Sequence, residues 1–316
     1  MQFTTPVPVP LIPKKITHDS LVFLGGSCFA ESMAQKLEYF QFRTITNPFG
    51  ILFNPLVLLD LFELADSSNE KAFDVFEQHG KWHYFGSHSK LSNTDRSQLE
   101  LSLQRAVRET KKALESASHF IFTLGTAWVY RHLTSGKIVA NCHKVPQQQF
   151  EKVLLSPTEV YESVRKLSAI ISKWNPSAVQ IFTISPVRHI KDGIVGNQRS
   201  KANLISGLHS FMEESENQDI VYFPSYEIVL DELRDYRFFA TDMLHPSDMA
   251  IDYIWERFSQ SIMTAETTEV MGNVSFIRKA SEHRPFDLNS DSYKRHLELI
   301  DKRISALQLQ FPHMEF

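Results

Sequence analysis

Four stretches of the chain are unbroken apolar runs of strand length: residues 20–24, 119–124, 178–184 and 220–223. Continuous rather than alternating apolar character marks strands covered on both faces. Between them the apolar positions recur at helical spacing, which predicts helices over about 29–39, 55–65, 95–117, 157–174, 199–216 and 248–262. Asn54-Pro55 opens the second of these, with proline near the first helical position, and Ser156 is placed to cap the fourth. Residues 42–46 predict a further short strand, closed by the turn-like cluster Asn47-Pro48-Phe49-Gly50. Residues 77–91 predict a small β element, and residues 128–140 a hairpin around Ser135-Gly136.

Strands alternating with helices imply an α/β fold of three layers, with a mostly parallel sheet between two layers of helices. Ahead of it, Pro6, Pro8, Pro10 and Pro13 forbid a helix, so residues 1–18 read as an extended arm. The sheet domain is expected over 19–264. Beyond it charge density rises and helical segments meet at a turn at Arg284-Pro285, which predicts a helical extension over 265–316.

Composition narrows the function classes. With 316 residues, 42% hydrophobic and 22% charged, the chain has ample core. A net charge of −4 and scattered lysines and arginines predict no nucleic-acid partner. The two cysteines, Cys28 and Cys142, make neither a disulfide framework nor a metal cluster. No apolar run has the length of a signal peptide or a membrane span, so a cytoplasmic protein without a membrane partner is expected.

Polar residues and glycine gather just after the predicted buried strands: Gly26-Ser27-Cys28, Gly125-Thr126, Ser185-Pro186 and Pro224-Ser225. Open α/β sheets build their sites at that edge. At the first, an apolar run breaks on Gly25-Gly26 and turns into a helix at two adjacent nucleophile-capable side chains, Ser27 and Cys28. A helix start supplies free N–H groups and a positive dipole end, which favour a thiolate or an oxyanion. The alternative is a plain strand–helix turn with a buried cysteine. Asp242, three residues before His245 and just ahead of a helix, can set a carboxylate beside an imidazole and fix its tautomer. The alternative is a helix cap and a turn histidine. Arg188 and His189 face either the same cleft, to hold an anionic or carbonyl group, or solvent. His143, beside Cys142, is either a pocket wall or plain loop. Trp128, Tyr236, Phe238 and Phe239 either line an acyl or sugar pocket or belong to the core.

Gly26-Ser27-Cys28-Phe29-Ala30 is the string for which the GSCFA family is named, and the resemblance runs from about Val22 to Phe258. It takes in Asn141-Cys142-His143-Lys144-Val145-Pro146, Ser185-Pro186-Val187 and Tyr236-Arg237-Phe238-Phe239. That family is similar to the SGNH, or GDSL-type, esterases and lipases, which implies a flavodoxin-like sheet. Those enzymes carry Gly-Asp-Ser-Leu after the first strand, a glycine after the second, Gly-x-Asn-Asp after a later one, and Asp-x-x-His near the end. Here Asp242-Met243-Leu244-His245 matches the last block, Gly50 resembles the second, and Leu124-Gly125-Thr126-Ala127-Trp128 resembles the third by position.

The departures are specific. One match puts Cys28 at the nucleophile's place; shifting it by one keeps Ser27 there. Cysteine is the more nucleophilic at neutral pH, and a helix N-terminus with a histidine nearby is expected to lower its pKa. The first-block aspartate is missing either way. Ala127 stands where the esterases hold the oxyanion with asparagine, a donor worth about 3–4 kcal/mol. Substitute donors are the N–H of Cys28, the N–H of Gly50 and the side chain of Asn47. The resemblance implies a hydrolase or acyl transferase that needs no cofactor and no metal. It would act on an acyl ester or thioester, small or carbohydrate-linked, with Cys28 or Ser27 attacking, His245 as base and Asp242 orienting it. Gly125, Thr126, Trp128, His143 and Arg188 would line the substrate. The rival is a catalytically weak or inactive ligand-binding module on the same fold. A redox role is weaker, because no Cys-x-x-Cys is present.

Overall fold

The computed structural model describes residues 4–67, 73–282 and 291–316. In chain order the strands are β1 (Leu21–Gly26), β2 (Arg43–Thr46), β3 (Val75–Gln78), β4 (Lys81–Tyr84), β5 (His119–Leu124), β6 (Trp128–His132), β7 (Ile138–Val139), β8 (Phe150–Leu154), β9 (Val179–Ile184) and β10 (Ile220–Tyr222). The helices are α1 (Cys28–Tyr39), α2 (Pro55–Asp66), α3 (Arg96–Ser116), α4 (Pro157–Trp174), α5 (Gly193–Glu214), the single turn α6 (Ser225–Glu227), α7 (Asp248–Ile262), α8 (Ala265–Glu282) and α9 (Asp291–Gln310).

Five strands form a parallel sheet in the order β10-β9-β5-β1-β2. This is the flavodoxin-like order, and the direction of winding reverses between β1 and β5. Every residue of β1, β5 and β9 is buried, as their apolar runs require. Alternate side chains feed two separate cores. Phe23, Phe120, Phe122 and Phe182 pack under α2, α3, α4 and α5. Val22, Leu24, Ile121 and Ile181 pack under α1 and α7. The result is the α/β three-layer fold.

Local chemistry sets the helix starts. Asn54 accepts from the Val57 N–H at 2.9 Å ahead of Pro55, and Ser156 with Glu159 forms a capping box on α4. β6 pairs with β7 across the turn at Gly136 and on its other side with β8, so a third antiparallel strand joins the hairpin read at 128–140. β8 is only partly buried along most of its length, which blurred its apolar signal. α5 begins at Gly193, six residues before the predicted helix, because its first turns carry the polar and glycine residues that meet the sheet edge.

The proline-rich arm lies along α7: the Ile16 N–H donates to the Ile262 carbonyl at 2.9 Å. α8 and α9 share a small core of Val270, Val274, Ile277, Ile300 and Leu307. Their end docks beside Gln41, whose carbonyl lies 3.1 Å from His313 Nε2, at the amino edge of β2. That is the edge opposite Cys28. The turn read at Arg284-Pro285 lies outside the described residues. Among the described residues no helix is long and apolar enough to cross a membrane.

Candidate active site

β1 ends on Gly26 at φ +136°, where a Cβ would stand 2.2 Å from the Thr123 carbonyl oxygen; only glycine fits. The next N–H, that of Ser27, bonds this carbonyl at 3.0 Å. The turn after β2 is sewn to the same point. The Gly26 N–H donates to Asn47 Oδ1 at 2.9 Å, and the Asn47 N–H to the Leu24 carbonyl at 2.9 Å. Asn47 holds φ +42°, a region asparagine tolerates better than most residues. The strand can thus break sharply and deliver α1 at the switch point between β1 and β5.

Ser27 caps α1: its Oγ accepts from the Phe29 N–H at 3.3 Å, and the residue is fully buried. Cys28, the first helical residue, is half-buried with a free thiol. Burial pushes that thiol's pKa up, contrary to the lowering expected from the helix start. The Cys28 and Phe29 N–H groups and the Lys201 charge oppose the rise, Glu31 adds to it, and burial prevails.

Gly50 is held at φ +78° under His88, and its N–H donates to the Asn47 carbonyl at 2.7 Å. The donor expected from Gly50 is therefore engaged within its own turn. Asn47 is different. Its Oδ1 is taken, but Nδ2 is buried without a partner. Thr46 Oγ1, Thr123 Oγ1 and His189 Nε2 are unpartnered as well. These four atoms come from the ends of β2, β5 and β9, at the sheet edge that also carries Cys28. Buried polar groups normally find partners, and an unpaired one costs about 1–3 kcal/mol.

The third block is held from α5. Lys201 Nζ donates to the Gly125 carbonyl at 2.7 Å and the Ser185 carbonyl at 2.6 Å. Ser200 Oγ accepts from the Ala127 N–H at 2.7 Å and bonds Thr126 Oγ1 at 2.9 Å. Asn197 Oδ1 accepts from the His189 N–H at 2.9 Å, and the Trp128 indole donates to the Gly196 carbonyl at 3.2 Å. Thr126 and Trp128 are thus tied into the wall by α5. His189 Nε2 stands 3.1 Å from where a Cβ on Gly125 would be, and burial with the Lys201 and His245 charges draws its pKa down to about 4. None of Asn197, Ser200 and Lys201 was singled out in the sequence. The signal was there: residues 197, 200, 201, 204 and 208 share one helical face, so these polar side chains ride on the stripe of Leu204 and Leu208.

Asp242 and His245 meet in the loop before α7. Asp242 Oδ2 lies 2.6 Å from His245 Nδ1, while Oδ1 accepts from the Leu244 and His245 N–H groups at 2.9 and 3.0 Å. These bonds draw the Asp242 carboxyl down to about 2. With Nδ1 donating to the carboxylate, His245 Nε2 is left as acceptor. Arg188 anchors this loop: its N–H donates to the Leu244 carbonyl at 3.1 Å, and its guanidinium lies 4.0 Å from the centre of the Phe239 ring. Tyr236 is mostly exposed and Phe239 buried.

Three sets thus assemble at one sheet edge: Cys28 with Gly26 and Asn47, Gly125 with His189 and Lys201, and Asp242 with His245 and Arg188. Neither Cys28 Sγ nor Ser27 Oγ hydrogen-bonds the His245 ring. His143 is buried against His83, ring centres 4.6 Å apart, and its Nε2 bonds the Tyr84 carbonyl in the β3–β4 insertion, while its Nδ1 has no partner. Among the described residues no group of three or more His, Cys, Asp or Glu side chains could hold a metal ion.

No curated protein matches the chain. Among solved structures it is similar to an acetyl xylan esterase from the rumen bacterium Butyrivibrio proteoclasticus, at 11% identity and a TM-score of 0.37, over 87% of this chain. The chain spans 66% of that esterase's length, and a likeness this distant assigns no chemistry. The family described as "GSCFA domain protein, C-terminal domain" matches residues 274–316. The GSCFA family itself matches residues 21–258, the whole sheet with Ser27, Cys28, Asp242 and His245, and the chain belongs to the GSCFA family.

Proposed function

We propose that the protein is a hydrolase or acyl transferase of acyl esters or thioesters that works through an acyl-enzyme on Cys28. The carrying observation is the set of four unpartnered buried polar atoms, on Thr46, Asn47, Thr123 and His189, at the sheet edge beside a half-buried thiol. A carbonyl ligand would answer the Asn47 Nδ2 donor directly. The Cys28 N–H, first in its helix, also has no partner inside the helix and is a second donor for an oxyanion. Cys28 is favoured over Ser27 because Ser27 Oγ is buried and already caps α1.

In this reading the sulfur attacks the acyl carbon as its proton passes to His245 Nε2. The tetrahedral oxyanion lies on Asn47 Nδ2 and the Cys28 N–H. It collapses as the C–O bond to the leaving alcohol breaks, and His245 returns the proton to that oxygen. Water, deprotonated by His245, then attacks the thioester, the C–S bond breaks, His245 returns the proton to the Cys28 sulfur and the acid is released; an acceptor alcohol in place of water would make the reaction a transfer. Asp242 keeps the imidazole in the tautomer this requires. Small and carbohydrate-linked acyl groups are the proposed substrates, and the cytoplasm the proposed compartment.

The raised thiol pKa and the missing contact between Cys28 and His245 favour a second reading, a module that binds a carbonyl or carboxylate ligand without turning it over. Turnover of short p-nitrophenyl esters separates the two. The enzyme reading expects a burst and steady turnover, with both removed by Cys28→Ala and by His245→Ala while Ser27→Ala retains the burst. Wild-type turnover in all three variants, or none in the native protein, would overturn it.

A further inference from the structure

α2 begins Pro55-Leu56-Val57-Leu58-Leu59-Asp60-Leu61-Phe62, an apolar run broken by a single charge. A carboxylate in such a run calls for a partner or for open water. The side of α2 that carries Asp60 is instead covered by two additions to the sheet domain, the β3–β4 insertion and the β6–β7 hairpin, which leave a cavity of about 660 Å³ beneath them. Its walls are tied to one another. The Ala140 N–H donates to the Phe85 carbonyl at 2.8 Å, joining hairpin to insertion, and the His88 N–H donates to the Phe49 carbonyl at 2.9 Å, joining insertion to the turn ahead of α2. The Phe85 and His132 rings meet with centres 4.9 Å apart. The hollow is therefore framed in advance, at a size that suits a small organic molecule.

Its lining is largely apolar, from Leu56, Leu64, Phe85 and Ile138 among others. Three carboxylates open onto it: Asp60 and Glu63, about one helical turn apart on α2, and Asp74 ahead of β3. They face one ammonium, that of Lys137 on the hairpin. Among the described residues none of these four side chains makes an ion pair or a hydrogen bond, and the Tyr84 hydroxyl beside them makes no hydrogen bond.

We propose that this cavity is a second binding site that takes an organic amine, its ammonium held by Asp60 between Glu63 and Asp74 and its hydrocarbon body against Leu56, Phe85 and Ile138. None of the residues placed at the Cys28 edge lines it, so the proposal is independent of the acyl-enzyme reading. Three carboxylates against one lysine leave an excess of negative charge in a recess with low-dielectric walls, where a cation is favoured. A bare metal ion does not fit, because no three acidic, histidine or cysteine side chains among the described residues converge closely enough to hold one. Burying the body of the amine against the apolar lining adds to the affinity.

The groups facing Asp60 are Glu63 on its own helix, Asp74 and Tyr84 on the insertion, and His132 and Lys137 on the hairpin. Protein packed around Asp60 pushes its carboxyl up to about 6, with Glu63 adding to the rise and Lys137 opposing it. It is thus ionised at pH 7.5 and mostly protonated at pH 5.

The test is a chemical-shift titration of the full chain, labelled with ¹⁵N, with hexylammonium chloride, and with 1-hexanol as the uncharged comparison. At pH 7.5 the amine is expected to bind with a Kd below about 1 mM and the alcohol about tenfold more weakly or less. At pH 5 the amine is expected to bind about tenfold more weakly, as Asp60 takes up a proton. Asp60→Asn keeps the shape of the side chain; it is expected to weaken the amine about tenfold at pH 7.5 and to flatten the pH dependence. Lys137→Met, on the exposed hairpin, removes the opposing charge and is expected to tighten the amine about threefold. No shift with the amine in the native protein, or equal binding of the alcohol, overturns the proposal. So does an unchanged Kd in Asp60→Asn, or in Lys137→Met should the asparagine variant not fold.

Discussion

Asp242 holds His245 through two kinds of bond at once: one carboxylate oxygen meets the imidazole Nδ1 at 2.6 Å while the other accepts the backbone N–H of the same histidine at 3.0 Å. The ring orientation and the loop are therefore set by one side chain. Asp242→Asn leaves the loop nearly intact but disturbs the tautomer. It is expected to lower kcat on p-nitrophenyl acetate about 10²–10⁴-fold with little change in KM. Because the Asp242 carboxyl titrates at about 2, any acid limb of the native pH–rate profile above pH 4 belongs to another group.

Asn47 can be divided into its two functions. Oδ1 holds the Gly26 N–H, and Nδ2 is unpartnered. Asn47→Asp keeps the acceptor and removes the donor. It is expected to leave the melting temperature within a few degrees and to cut kcat about 10²–10³-fold. Asn47→Ala removes both and is expected to cost a further 1–2 kcal/mol of stability in urea unfolding. Equal loss of kcat and stability in both variants would count against the proposed role of Asn47 as an oxyanion donor.

Gly26→Ala tests the turn itself. A Cβ there meets the Thr123 carbonyl at 2.2 Å in a backbone conformation that other residues rarely adopt. Main chain must move on both strands, and a destabilisation of about 3 kcal/mol or more is expected by chemical unfolding. Gly136→Ala has open space around it and is expected to cost far less.

Three histidines with lowered pKa values make stability depend on pH. Burial lowers His18, His143 and His189 to about 4 from an ordinary 6.5. Between those values the unfolded chain binds more protons than the folded one. Stability from this source is thus complete above about pH 6.5 and is lost as pH falls through 6.5 towards 4. Urea midpoints at pH 7.5 and 4.5 are expected to differ less in His143→Gln than in the native protein. An unaltered difference would show that His143 binds its proton equally in both states.

The parts legible in the sequence are those that depend on short range. β1, β5 and β9 are buried on both faces, so they announce themselves as continuous apolar runs. Asp242 and His245 bond across three residues, a distance a single turn spans whatever surrounds it. β8 was missed because a half-buried strand in a small sheet has no such run, and the start of α5 because its first turns serve the strand ends rather than a core.

The sequence by itself determined the layered α/β order, the break after Gly26 that starts a helix at Ser27-Cys28, and the Asp242–His245 pair. Folding alone decided which of these acquire partners. It put Lys201 out of water against two carbonyls that lie 76 and 16 residues away along the chain. It raised the Cys28 pKa where the local helix start argued for lowering it, and it took the Gly50 N–H into a turn while leaving Asn47 Nδ2 without a partner. The reason is physical: a pattern along the chain records which faces avoid water, whereas the charge state and bonding of a side chain depend on the dielectric and the partners that distant segments bring to it.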